Sequence, residues 1–288
     1  MRAFMNEPPG ESDDLPIYFE RSEARDILFR GDVITRYSVP NYPESVLETK
    51  AGLAFVDLGE SRWRLDLVSN SCIVPDEGPD PDVVAEEVPE KVVVKANWYS
   101  ADDAEAVGLK VVAGADASIF AGLGALLVPD GFHIPAVVAT RENVKFYGLT
   151  LLGEGDRFTI RTAYDVALIK YDYKKTYRDE FLLERKGGGG HFVERHDFPH
   201  LHVPLDKKCG GYIVIGKQMS KRRFAFTAFQ IPHRHGLYSP SGTIHGDGTI
   251  VGNHAITVAR TSAKADTVLF YNCNTISMAE NVVPRWHG

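Results

Sequence analysis

The sequence predicts an all-β protein whose C-terminal half folds as a sandwich or barrel. Short runs rich in Val, Ile, Phe and Tyr, such as "GYIVIGK", "RFAFTAFQIP" and "TVLFYN", follow one another with turn residues between them. Such runs are typical of strands, because branched and aromatic side chains pack well on a pleated surface. Helical patterns do not alternate with these runs, which argues against a parallel α/β sheet.

The composition is that of an ordinary globular chain and excludes several classes of protein. With 288 residues, of which 44% are hydrophobic and 25% charged, the chain can bury one large core or two smaller ones. A net charge of −7 argues against nucleic acid as a partner, because nucleic-acid-binding domains carry a concentrated basic face. The three cysteines form no C-x-x-C pair, and no apolar run approaches the length of about 18 residues that a membrane span needs. We therefore expect a cytoplasmic protein that binds neither nucleic acid nor membrane.

The chain divides into three regions. Residues 1–16 are rich in Pro, Gly and acidic residues and predict a disordered tail. Residues 17–125 predict a β-rich region, and two alanine-rich pieces there and at its border, "SADDAEAVGLKVV" and "ADASIFAGLGALLV", are the candidates for helix. Residues 126–288 predict the sandwich or barrel. In that region the basic cluster "KQMSKRRF" lies between two apolar runs, which indicates an exposed hairpin tip.

A histidine-rich stretch, "HDFPHLHVPLD" at residues 196–206, is the strongest functional signal. On a strand the H-x-H pair His200 and His202 would place both imidazoles on one face, because side chains alternate with period two. Asp206 follows four residues later and can bring a carboxylate to the same point. Two neutral imidazoles and a carboxylate are a suitable ligand set for a divalent first-row metal. His191 and His196 are assigned to the border of this pocket or to the loop before it.

A second motif follows in "SPSGTIHGDGT", where Pro240 and Gly242 shape a turn and His245 begins the next strand. Together, H-x-H-x3-D and P-x-G-x2-H resemble the two motifs of the cupin superfamily, with an aspartate in place of the usual glutamate. The resemblance implies a cupin-type jelly-roll barrel in the C-terminal half, with His200, His202, Asp206 and His245 as metal ligands. "VPDGFHIP" loosely echoes the second motif, which suggests that the N-terminal region is a degenerate second barrel.

A second H-x-H pair, His233 and His235 in "IPHRHGLY", lies shortly before His245. One of these two imidazoles, rather than Asp206, would complete the ligand shell, or both would act as acid–base groups. A base that works near pH 7 must lie within hydrogen-bond reach of the substrate. With Tyr238, which can donate to a developing oxyanion, His233 and His235 are the candidate catalytic residues.

The predicted function is that of a metal-dependent cupin enzyme holding Fe, Mn, Zn or Ni. Its substrate would be a small polar oxygenated molecule such as a hydroxy or oxo acid or a sugar-like compound. Isomerase, epimerase or lyase chemistry is favoured because the spare histidines offer acid–base groups. The alternatives are an Fe(II) dioxygenase and a non-catalytic cupin that binds a ligand. Exposed edge strands would be covered by pairing with a second subunit, giving a homodimer.

Overall fold

The computed structural model of the protein describes residues 14–21, 33–35, 53–57, 61–66, 89–112, 122–153, 156–161, 166–173, 182–186, 188–259 and 265–288. In chain order the elements are β1 (Asp14–Arg21), β2 (Val33–Thr35), β3 (Leu53–Asp57), β4 (Ser61–Asp66), β5 (Val92–Lys95), β6 (Asn97–Tyr99), α1 (Ala101–Ala106), β7 (Gly124–Val128), β8 (Ala136–Val138), β9 (Thr150–Leu152), β10 (Arg157–Arg161), β11 (Val166–Tyr173), β12 (Phe192–Arg195), β13 (His200–Pro204), β14 (Gly210–Ser220), β15 (Arg223–Gln230), β16 (Gly236–Ser239), β17 (Ile244–Ala259), β18 (Asp266–Asn272) and β19 (Ser277–Met278). Within the described residues, short 3-10 helices cover Asn143–Tyr147 and Glu184–Lys186.

Eight strands form a nearly closed barrel. Their order is β5-β15-β14-β17-β12-β18-β7-β6, and the two ends of this path are adjacent in the chain because only Ala96 separates β5 from β6. Strands make up 48% of the structure and helices 9%. The predicted all-β class with a barrel in the C-terminal part is therefore confirmed.

The barrel encloses an apolar core to which its strands contribute on their inward face. Phe226 of β15 and Phe270 of β18 have ring centroids 5.6 Å apart, although β14, β17 and β12 lie between these two strands in the sheet. Such a contact is possible only across the inside of the closed sheet. Phe132 fills the same space, with its centroid 6.1 Å from Phe226 and 5.7 Å from Phe270. The barrel interior is thus packed with hydrocarbon and aromatic rings.

A second sheet packs on the outside of the barrel. It contains β2, β11, β13, β16 and β9, and it shares the long strand β17 with the barrel. The first part of β17 pairs with β12 and β14, and its last part pairs with β11 and β13. Gly252, whose φ of 92° suits glycine, lies where the strand passes from one sheet to the other. A second apolar core, which includes Ile215, Leu237 and Ile256, fills the space between the two sheets.

The N-terminal part contributes both to the barrel and to a separate sheet. β5, β6 and β7 belong to the barrel, so the barrel takes strands from before residue 126. β1, β3 and β4 join β10 in a four-stranded sheet of order β10-β1-β4-β3. Most of the predicted tail at 1–16 and most of residues 17–88, where a degenerate second barrel was suggested, lie outside the described residues.

Two local predictions were correct, and a third falls only partly on the described residues. Helix α1 lies inside "SADDAEAVGLKVV" and is capped by Ser100, whose Oγ accepts from the backbone N–H of Asp103 at 3.2 Å. The basic cluster lies on the β14–β15 hairpin, whose tip is exposed. The end of "ADASIFAGLGALLV" is strand β7, whose apolar side chains pack inside the barrel and against the neighbouring strands, and the start of this stretch, up to residue 121, lies outside the described residues. The described residues contain no helix with the length and hydrophobicity of a membrane span.

Candidate metal centre

The strand register decides which face of the barrel carries the polar residues. Ile215 on β14 is the direct partner of His245 on β17, and His245 is the partner of Glu194 on β12. Directly paired residues point to the same side of a sheet. Ile215 belongs to the core between the sheets, whereas its neighbour Val214 belongs to the barrel core. His245 and Glu194 therefore point out of the barrel towards the second sheet.

The second sheet brings the H-x-H pair to the same space. His202 on β13 is the partner of Leu237 and of Ile256, both of which belong to the core between the sheets. His200 lies two residues earlier and therefore on the same face. The two ring centroids are 5.5 Å apart. The alternation argument made from the sequence thus describes this pair correctly.

Two loops that are hydrogen-bonded to each other complete the arrangement. The turn after β16 holds the loop after β12, because Gly242 donates its N–H to the carbonyl oxygen of His196 at 2.7 Å. Ser241 Oγ donates to the carbonyl oxygen of Asp197 at 2.7 Å. As a result the ring of His196 lies 4.7 Å from that of His200 and 4.9 Å from that of His245, measured between centroids.

Four side chains, Glu194, His196, His200 and His245, converge so closely that they could hold a metal ion. One ligand atom from each lies within 4.8 Å of every other. The Nε2 atoms of His196 and His200 are 3.0 Å apart, and Nε2 of His245 is 3.6 Å from Oε1 of Glu194. Three imidazoles and one carboxylate are a donor set that suits a divalent first-row metal.

Hydrogen bonds hold three of the four side chains in the orientation that metal-binding side chains usually have, with one polar atom bonded to the protein and the other facing the group. His200 donates from Nδ1 to the carbonyl oxygen of Thr257 at 2.6 Å, and His245 donates from Nδ1 to that of Thr243 at 2.9 Å. Both bonds leave the lone pair on Nε2, which faces the group. Thr267 donates from Oγ1 to Oε2 of Glu194 at 3.1 Å and leaves Oε1 towards His245.

An orphaned nitrogen points to a ligand in the same place. His245 is 3% exposed, and among the described residues its buried Nε2 has no hydrogen-bond partner. Buried polar atoms are normally satisfied. A cation bound by the lone pair of this nitrogen would satisfy it, so the residues present fit a metal ion.

His196 differs from the other two imidazoles. Its Nδ1 accepts from the backbone N–H of Phe198 at 3.3 Å, so in the neutral ring the proton is on Nε2. Since Nε2 of His200 carries the lone pair, His196 donates to His200 across the 3.0 Å contact. A cation bound by the Nε2 atoms of both His196 and His200 would displace the proton on Nε2 of His196.

Burial keeps two imidazoles of the group, those of His196 and His200, neutral. Loss of hydration, followed by the neighbouring His245, lowers the pKa of His196 to about 4, although Glu194 opposes the shift. Burial and then the adjacent histidines lower the pKa of His200 well below its usual value. Both rings are therefore neutral at pH 7, which is the form that binds metals.

The other predicted site residues lie outside this group of four. His202 is buried beside His200. Asp206 lies in the turn after β13, where its Oδ1 accepts from the N–H of Lys208 at 2.7 Å. His233 and His235 lie in the loop between β15 and β16. Asp206 contributes to the electrostatics of His233, which places the two residues near each other.

The strand geometry separates these residues from the group. Asp206 is six residues beyond His200, a span of about 20 Å along an extended chain. Tyr238 is the partner of Leu201, so it points to the opposite face of the second sheet from His200.

Glu194 and His196 were not predicted as ligands. They are two residues apart in "FVERHDF", so a strand continuing to His196 would have placed them on one face. This E-x-H spacing is a signal of the same kind as H-x-H. It precedes the H-x-H pair, whereas the H-x-H-x3-D motif has its carboxylate after the pair.

Comparison of the chain with protein-family models, with curated proteins and with solved structures finds no significant match.

Proposed function

We propose that the protein is a metal-dependent enzyme that holds a divalent first-row metal through Glu194, His196, His200 and His245. The observation that carries the proposal is the convergence of the four ligand atoms within 4.8 Å of one another. Fe, Mn, Zn and Ni all fit imidazole and carboxylate donors. The orphaned Nε2 of His245 supports the same conclusion from the cost of burying an unpaired nitrogen.

The proposed substrate is a small polar oxygenated molecule such as a hydroxy acid, an oxo acid or a sugar-like compound. A divalent metal bound here would polarise a substrate oxygen and acidify a neighbouring C–H bond, which is the basis of isomerase, epimerase and lyase chemistry. The chain itself supplies neutral imidazoles, a carboxylate held in place by Thr267, and apolar surroundings that strengthen charge interactions. An Fe(II) dioxygenase is the second candidate, because the same donor set suits Fe(II).

Metal analysis tests the binding step. Protein purified without chelator, or reloaded with Zn(II) or Mn(II), is expected to hold about one equivalent of metal per chain. His245→Ala and Glu194→Gln should each lower the metal content, whereas His235→Ala, a histidine outside the group, should keep it. Metal content below about 0.2 equivalents after reloading, or full content in His245→Ala, would contradict the proposal.

A second measurement separates the two chemistries. Hydroxy and oxo acids are incubated with the metal-loaded protein in D2O, and exchange of the C–H bond next to the oxygenated carbon is followed by NMR. Isomerase, epimerase or lyase chemistry predicts exchange that is lost in His245→Ala. Oxygen consumption without exchange would favour the dioxygenase. A metal-loaded protein with neither property would be the non-catalytic ligand-binding protein that the sequence left open.

Membership of the cupin superfamily is a further proposal, supported by the order of the H-x-H and P-x-G-x2-H motifs and by the all-β fold. We also propose a cytoplasmic protein with a small-molecule partner, supported by the acidic charge and the scattered cysteines. A homodimer formed through edge strands is proposed on the general tendency of such edges to be covered.

A further inference from the structure

Ser239 carries a buried hydroxyl group that takes no part in the hydrogen bonds described above. Its exposed fraction is 1%, and within the described part of the chain its Oγ has no hydrogen-bond partner. A hydroxyl buried without a partner destabilises the folded state. Such a group either lowers the stability for no gain or donates a hydrogen bond to a molecule that the protein binds.

The strand register places Ser239 beside the metal centre. Ser239 is the last residue of β16 and the direct partner of His200 on β13, so both side chains are on the same face. Directly opposed Cβ atoms of an antiparallel pair lie about 5 Å apart. The turn that follows Ser239 binds the carbonyl oxygen of His196 through Gly242. Ser239 therefore lies opposite one proposed ligand, His200, and the turn after it contacts the loop that carries another, His196.

The chemistry of a hydroxyl decides which role it can take there. A neutral hydroxyl competes poorly for a first-row metal against three imidazoles and a carboxylate. It readily donates a hydrogen bond to an oxygen that the metal holds. A metal–oxygen bond of about 2 Å and a hydrogen bond of about 2.8 Å together let a hydroxyl contact a metal-held oxygen from as far as about 5 Å from the metal.

We propose that Ser239 donates a hydrogen bond to an oxygen of the molecule bound at the metal and so selects small α-hydroxy or α-oxo carboxylates. Such a molecule offers oxygen atoms on adjacent carbons, so one can contact the metal while another accepts from Ser239. This inference rests on the proposed metal-dependent function and names its substrate class. A molecule that offers only the atom bound to the metal has no second atom to accept a hydrogen bond from Ser239, so its affinity does not depend on Ser239.

The test uses the Co(II)-loaded full chain and measures binding by the visible spectrum of the metal. Glycolate, the smallest α-hydroxy carboxylate, is the probe, and azide is the comparator that contacts the metal alone. Ser239→Ala is expected to keep the Co(II) content, to bind glycolate about tenfold more weakly, and to bind azide as the wild type does. Ser239→Thr keeps the hydroxyl and should restore glycolate binding to within about threefold.

Ser241→Ala is the matched control, because Ser241 is exposed and its hydroxyl is bonded to the carbonyl oxygen of Asp197. It should leave glycolate binding unchanged. Thermal unfolding of unloaded Ser239→Ala should show no loss of stability, since the variant removes an unpaired buried hydroxyl.

Three outcomes overturn the inference: equal glycolate affinity in Ser239→Ala and wild type, an equal loss for azide, or no glycolate binding by metal-loaded wild type. Failure of the wild type to take up Co(II), Zn(II) or Mn(II) is a different result, because it overturns the proposed metal site itself.

Discussion

The pH dependence of stability gives a direct test of the buried histidines, and His254 is the best single probe. His254 is 2% exposed, and burial lowers its pKa to about 4, against the small opposing effects of a hydrogen bond to Gly252 and of Asp206. In the unfolded chain its pKa is about 6.5. Between pH 6.5 and pH 4 the His254 imidazole therefore binds a proton in the unfolded state but not in the folded state. Stability is complete above pH 6.5 and is lost as the pH falls towards 4.

The magnitude follows from the two pKa values. A difference of about 2.5 pKa units corresponds to about 3 kcal/mol in total, of which about 2 kcal/mol is lost between pH 7.5 and pH 5. His254→Asn removes the titrating group while keeping a donor near the position of Nδ1. The fall in the free energy of unfolding between pH 7.5 and pH 5 should therefore be about 2 kcal/mol smaller in the variant.

Urea unfolding at the two pH values measures this difference. His287→Asn, at an exposed C-terminal histidine, is the control and should follow the wild type. The reasoning is refuted if His254→Asn loses as much stability as the wild type between the two pH values. Only the difference between pH values matters, so a uniform loss of stability in the variant leaves the test intact.

Three further predictions concern the metal centre, the barrel core and the backbone of β14. Thr267→Val removes the hydrogen bond to Glu194 and should weaken metal binding about tenfold with little change in fold. Competition with a coloured chelator measures the metal affinity. Phe226→Ala should cost about 3–5 kcal/mol of stability in urea unfolding while reloaded protein keeps its metal, because Phe226 lies inside the barrel and the ligands lie outside it. Gly211→Ala should unfold at lower temperature, because Gly211 has a φ of 73° and an added Cβ would collide with the carbonyl oxygen of Thr249.

The fold class could be predicted because strand formation is a local signal. In β14 and β15, branched and aromatic residues alternate between two cores, and both faces of this hairpin are buried along much of its length. The "GALLV" of β7 shows where the local signal fails. Alanine and leucine favour helix in isolation, yet this segment pairs with β6 and β18 and forms part of the barrel wall. Pairing with distant strands decided its structure, and a single sequence does not display that pairing.

The candidate site was predictable in part for the same reason. His200 and His245 could be found because each lies in a short motif, and the face shared by His200 and His202 follows from alternation alone. Glu194 joins the group only because β12 pairs with the start of β17, so that Glu194 lies opposite His245. This register is a property of the folded sheet. His196 depends in turn on the loop contact with Gly242, which neither segment shows in its own sequence.

The position of the group between the two sheets explains how one protein can hold both a closed apolar barrel and a cluster of polar ligands. Inside the barrel, aromatic rings such as Phe226 and Phe270 meet across the centre, and a carboxylate placed there would lose its hydration without compensation. On the outer face, Glu194 remains 18% exposed and accepts from Thr267, while backbone carbonyls of β17 and its preceding turn accept from His200 and His245. The shared strand β17 therefore supplies one ligand, His245, and the carbonyl oxygen of Thr257 that orients another, His200. A molecule reaching the metal would approach from the side of Glu194, His196 and His200, the partly exposed members of the group. It would meet the buried His245 and Ser239 only at the inner end of its path.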